Sequence, residues 1–243
     1  MARAGRVASA AAQAALACVV VACALAVAAI LATQHRDDAS YAAVAPSVAA
    51  APEAAAPARA AIDPIPDEAC AWVNVEGTSI DYPVAAQPAD DPDLWLRRNL
   101  WGEWSILGTP FLASSCDPDG QRLLVFGHHI AYTHEMFSDL QLAYEQEDFD
   151  CLGTCWWTTR TRQDAYEPLF AMEVDESYQP AQQTAATSAE ELRGWLTQMG
   201  EGASARAEGW REAASRATQS LCLVTCSSNW SGQSERTVVV FAR

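Results

Sequence analysis

Hydrophobic and polar positions alternate differently in three stretches of the chain. After Arg3 and Arg6, residues 7–34 carry no charge, and residues 18–31 are all Ala, Val, Leu, Ile and Cys. About twenty such residues wound as a helix cross the hydrocarbon core of a bilayer, about 30 Å thick. The run exceeds the 7–15 apolar residues of a cleaved signal peptide, which favours an uncleaved anchor. Basic residues before it and Asp37 and Asp38 after it put the N-terminus in the cytoplasm and the bulk of the chain outside. Residues 33–69 are Ala- and Pro-rich (Pro46, Pro52, Pro57, Pro64, Pro66), without sustained periodicity, and read as a flexible or partly extended tether. The expected organisation is a cytoplasmic N-terminus over 1–6, a transmembrane signal anchor over 7–32, a tether over 33–69 and one domain over 70–243.

Within that domain the periodicity changes to that of short strands. Residues 71–84 read as two strands around a Gly77 turn, with Pro83 marking an edge or a strand end. Residues 92–104 are helical or irregular, 109–113 form a strand, and Asp117-Pro-Asp-Gly120 is a turn. Residues 122–126 are an apolar strand buried on both faces. Met136, Leu140 and Tyr144 share a helical face. Strands follow over 155–160 and 167–174. Ser188-Ala-Glu-Glu191 is a capping box opening a helix through Met199, and 203–217 reads as helical. Residues 220–225 form a strand running into Cys226, and 236–241 form the last strand. Many short strands with interspersed helices point to a mainly β fold, a barrel or curled sheet with helices packed outside.

Fifteen basic residues, all Arg, stand against 31 acidic ones, a formal charge of −16. Phosphate binding needs clustered cations, so nucleic acid is excluded as a partner. The chemistry-bearing residues lie at strand ends, which hold fixed geometry. Cys226 ends one apolar strand, His128 follows Gly127 at the end of another, and Arg236 opens the final strand. A thiolate attacks a carbonyl carbon well, an imidazole protonates a leaving amine, and a permanently charged guanidinium stabilises the oxyanion between them. Taken singly, each residue also fits an ordinary structural role.

Together they fit a pattern. Leu223-Val-Thr-Cys226 resembles the sortase signature, Ser234-Glu-Arg-Thr-Val-Val-Val240 resembles its arginine strand, and Val125-Phe-Gly-His-His129 resembles its histidine segment. Gly77-Thr-Ser-Ile-Asp-Tyr-Pro-Val84, Trp95-Leu-Arg-Arg-Asn99 with Gly108-Thr-Pro-Phe-Leu112, and Met136-Phe-Ser-Asp-Leu140 with Tyr144 and Phe149 are similar to segments of the class B subgroup, as is the long helical insert before the cysteine strand. The chain departs at His129, where Asn is frequent, and at Ser227 and Ser228. The resemblance implies a sortase-like closed β-barrel with flanking helices, needing no metal or organic cofactor. Cys226 becomes the nucleophile, His128 the general acid/base and Arg236 the oxyanion or substrate-positioning residue, with Thr225 and Asn99 as candidate substrate contacts. His129 and His134 read as loop residues. It implies a membrane-held transpeptidase of Gram-positive type that cleaves a C-terminal sorting motif of the Asn-Pro-x-Thr-x kind on surface proteins. The Thr carbonyl would be joined to an amine of a peptidoglycan precursor or a pilin. The rival readings are another envelope cysteine peptidase, in which Cys precedes His, and a non-catalytic envelope binding module.

Six of the eight cysteines lie outside the anchor. With Cys226 as a thiol the other five cannot all pair. Cys151 and Cys155 have the spacing of a local disulfide or half a metal site. Cys222 and Cys226 repeat it, but along a straight strand they stand about 13 Å apart, which disfavours shared ligation.

Overall fold

The computed structural model describes residues 2–49, 69–183, 188–230 and 232–243. Nine strands follow in chain order: β1 (Ala69–Val75), β2 (Asp81–Ala86), β3 (Phe111–Leu112), β4 (Arg122–Phe126), β5 (Cys155–Thr158), β6 (Gln163–Asp175), β7 (Ala205–Arg206), β8 (Ser220–Cys226) and β9 (Glu235–Ala242). Their order is β5-β1-β2-β3-β4-β8-β9-β6, and β5 also pairs with β6. The sheet therefore closes into an eight-stranded barrel, as expected. The short β7 adds to β6 at Phe170 and Ala171. The helices are α1 (Ala2–Ala49), α2 (Gln146–Phe149), α3 (Gln179–Gln182), α4 (Ala189–Gly202) and α5 (Trp210–Arg216).

Two hydrophobic layers explain the unbroken apolar runs of β4, β8 and β9. Leu123, Val125, Leu221, Leu223, Val239 and Phe241 fill the barrel with Val73, Trp157 and Tyr166. Their alternate neighbours Leu124, Cys222, Val224, Val238 and Val240 face outward against Leu192, Trp195, Leu196 and Met199 of α4 and Trp210 of α5. Those α4 positions recur at helical spacing, and the Ser188 hydroxyl accepts from the Glu191 amide at 3.2 Å, the cap its sequence signals. At the β1–β2 turn Gly77 has φ +84°, and a Cβ there would lie 2.2 Å from the Cys151 carbonyl oxygen. Pro83 sits on β2 where only β1 pairs with it, since β3 reaches just Ala85 and Ala86.

Several elements differ from the sequence reading. Residues 203–217 are not one helix: β7 pairs with β6, and Gly209, at φ +70°, separates it from α5. The 136–144 stretch carries only a 3-10 turn over Ser138–Leu140, although Met136 and Leu140 are fully buried. The tether is the largest change. Residues 33–49 continue α1, and residues 50–68 of the expected tether lie outside the described residues. Tertiary bonds hold this continuation. The Asn99 amide donates to Asp37 Oδ1 at 3.0 Å, the Leu100 amide donates to the Tyr41 hydroxyl at 3.2 Å, and that hydroxyl lies 3.1 Å from Thr109 Oγ1. Tyr41 is buried edge-on against Tyr82, and Arg36 pairs with Glu103.

Among the described residues, one helix, α1, is long and apolar enough to cross a membrane. Leu16, Val19, Val20, Val21, Leu25, Val27 and Leu31 are exposed around it. An apolar helix exposed on all sides is a weak sign of a bilayer span.

Candidate active site

The register brings the three chemistry-bearing residues to neighbouring strand ends. Cys226 stands opposite Arg236 in the β8–β9 ladder, about 5 Å between Cα atoms. β4 runs parallel to β8 with Phe126 beside Val224, and the Gly127 amide extends that ladder to the Val224 carbonyl at 3.0 Å. Carried two residues on, the register sets His128 alongside Cys226. Leu124 and Val224 face outward, so the two-residue period puts His128, Cys226 and Arg236 on the same outer face. Beside them runs an apolar trough lined by Phe126, Val174, Glu176, Tyr178, Val224 and Arg236.

His128 is half-buried, and its Nε2 lies 2.8 Å from the Leu96 carbonyl oxygen. A carbonyl only accepts, so this bond fixes the proton on Nε2 and leaves Nδ1 as the nitrogen able to exchange one. Leu96 ends a 3-10 turn over Leu94–Leu96. Gly127 is required by close approach, since a Cβ there would lie 2.6 Å from the Phe137 ring. Gly127→Ala is expected to destabilise the fold by about 1–3 kcal/mol and to displace His128. Thermal unfolding together with turnover of a substrate peptide would check it, and a parent-like melt would refute the steric argument.

Arg236 is held from three sides. Its Nη1 donates to the carbonyls of Gln233 at 2.8 Å and Glu235 at 3.0 Å, and its Nη2 donates to Glu176 Oε2 at 2.5 Å. A guanidinium has five N–H groups, so Nε–H and one Nη2–H remain for a ligand. Glu176 is itself positioned, because its amide donates to the Ser234 carbonyl at 2.7 Å. Next to it, hydrogen bonds from the Ser177 hydroxyl and amide, with one from Ser234, hold the exposed Asp175 carboxyl down at about 2.

Cys226 is half-buried, and its surroundings are pinned. Gln141 Nε2 donates to the Ser227 carbonyl at 2.9 Å, and the Gln141 carbonyl accepts from the Thr237 hydroxyl at 2.6 Å. The His129 ring lies against the backbone of Cys226 and Ser228. Burial pushes its pKa down, while those backbone hydrogen bonds oppose the shift. His134 belongs to another cluster, 2.5 Å from Asp139. Among the described residues no disulfide joins two cysteines. Burial pushes the Cys70 and Cys222 thiols up to about 12 and that of Cys155 higher, so these three stay protonated and unreactive.

Two expected contacts turn out otherwise. Asn99 is buried at 1% exposure and spends its amide on Asp37 and its side-chain oxygen on the Glu103 amide, so it braces α1 rather than facing the trough. Thr225 is 2% exposed. The pleat points it away from the Cys226 face, toward the barrel interior. Sequence reasoning missed Leu96, Gln141 and Glu176. The first acts through its backbone, and the other two meet their partners only through long-range pairing.

No family model matches the chain, and no curated protein matches it. Solved structures do. A Staphylococcus aureus sortase B–substrate complex aligns at TM-score 0.70 with 16% identity, over 86% of this chain and 96% of that one. A B. anthracis sortase B aligns at 0.69 with 19% identity, over 88% and 98%. A Clostridium perfringens sortase B aligns at 0.62 with 22% identity, over 74% and 94%. The closed barrel with its outer helices is thus a class B sortase-like fold.

Proposed function

We propose that the chain is a class B sortase-like cysteine transpeptidase, held in the cell membrane by α1 with its catalytic domain outside. The observation that supports this reading best is the convergence of His128, Cys226 and Arg236 on one outer face beside an apolar trough. The acyl donor is a surface protein with a C-terminal sorting signal, of the Asn-Pro-x-Thr-x kind that class B resemblance implies. Its segment lies in the trough, with the scissile carbonyl over Cys226.

The thiol proton passes to His128 Nδ1, and the sulfur attacks the Thr carbonyl carbon. The carbonyl electron pair moves to oxygen, where the remaining Nε–H and Nη2–H of Arg236 meet it. As the tetrahedral intermediate collapses, the C–N bond breaks and the leaving amine takes the proton from His128. A thioester remains on Cys226. An incoming amine, from a peptidoglycan precursor or a pilin, attacks that thioester and gives a proton to His128. The C–S bond breaks and the proton returns to sulfur, so every proton is accounted for without a metal or organic cofactor.

The test is mass spectrometry of the protein after incubation with sorting peptides that vary around this motif. A covalent adduct on Cys226 equal in mass to the peptide up to its Thr is expected, lost on adding an amine acceptor. No adduct across the peptide set, with a folded protein, would overturn the reading.

A further inference from the structure

The loop over residues 96–106 leaves large apolar side chains in solvent: Trp104 at 56%, Trp101 at 41% and Ile106 at 39% exposure. Two tryptophans and an isoleucine are thus exposed within six positions of one loop. The catalytic steps use none of them. Their placement against α1 says what they meet.

The apolar part of α1 ends at Ala32, and the helix continues without interruption to its docking residues. At 1.5 Å per residue, Arg36 stands about 6 Å and Tyr41 about 14 Å beyond that end. Arg36 pairs with Glu103, the neighbour of Trp104, and the Tyr41 ring centroid lies 5.4 Å from that of Trp101. The polar headgroup layer is about 5–8 Å thick on each side of the hydrocarbon core. Trp104 therefore falls at headgroup depth, where amphipathic indoles concentrate, while Trp101, beside Tyr41, stands beyond that layer. Arg98 adds a positive charge here, bridged to Trp104 through the backbone, with Nη1 donating to the Gly102 carbonyl at 2.8 Å.

We infer that Trp104, flanked by Trp101 and Ile106, is a membrane-interface contact that seats the domain on the bilayer α1 crosses. This rests on the reading of α1 as an anchor. The same loop carries the Leu96 carbonyl that holds His128, so lipid contact at Trp104 also steadies a partner of that histidine.

The full-length chain reconstituted in phosphatidylcholine vesicles, with acyl chains brominated near the headgroup, provides the test through tryptophan quenching. Trp104 is the tryptophan that this placement sets at headgroup depth, so Trp104→Phe should remove most of the vesicle-dependent quenching. Trp101→Phe, at a residue beyond the layer, should leave most of it in place. Phe keeps an apolar ring in place, so the loss does not depend on unfolding. Alkaline extraction is run on the same vesicles. A chain that washes off overturns the anchor reading and this inference together. A chain that stays embedded while quenching is equal in the parent and in Trp104→Phe overturns this inference alone.

Discussion

A Cys226→Ala chain is expected to lose both adduct formation and peptide transfer, a fall on the order of 10⁴-fold or more, because no neighbouring group can replace the sulfur as nucleophile. The other thiols make this a sharp experiment. Cys70, Cys155 and Cys222 are held protonated by burial, and Cys222 points under α4 two pleats back along the same strand. Cys151 is exposed and will react with small alkylating reagents whatever happens at Cys226, so general thiol labelling decides nothing. A sorting peptide discriminates, because only a thiol beside the trough can be acylated from it. Cys151→Ser should transfer at the parent rate while losing its alkylation. A Cys226→Ala chain that still joined peptide to amine at a measurable fraction of the parent rate would remove the sulfur from the mechanism and favour a different nucleophile.

The parts of this fold legible in the sequence are those whose signal is local. β4, β8 and β9 are buried on both faces, one toward the barrel and one toward α4 and α5, so their apolar runs are continuous and their ends fall beside His128, Cys226 and Arg236. Ser188 announces α4 through its own hydroxyl. What the sequence hid depends on residues far apart. Asn99 looks available for substrate until Asp37, 62 positions upstream, is seen to take its amide. Glu176 looks like a solvated acid until the β6–β9 register sets Val174 against Arg236. Over 33–49 the expected tether is helix instead, and the weak periodicity there carries no sign of Tyr41 finding a buried site between Tyr82 and Gly108. Thr225 is a different case, since a strand neighbour of an outward-facing Cys226 must itself face inward.

Arg236→Lys is expected to lower kcat by about 10²–10³-fold, with KM changed much less, because the lost bonds form only when the carbonyl oxygen becomes an anion. The charge is preserved, so geometry alone is tested. Arg236 uses two Nη1 donors on the Gln233 and Glu235 carbonyls and one Nη2 donor on Glu176, and keeps two donors for the oxyanion. An ammonium has three donors at one point and cannot serve those carbonyls, the carboxylate and the oxyanion together. Glu176→Gln separates holding from catalysis. The guanidinium and both carbonyl bonds remain, so its loss should be several-fold smaller than that of Arg236→Lys. Steady-state and single-turnover rates on one sorting peptide, compared across the three proteins, check the order. A fall confined to KM in Arg236→Lys would make Arg236 a substrate-binding group rather than an oxyanion donor. An effect of Glu176→Gln equal to that of Arg236→Lys would make the ion pair, rather than the spare donors, the element that matters.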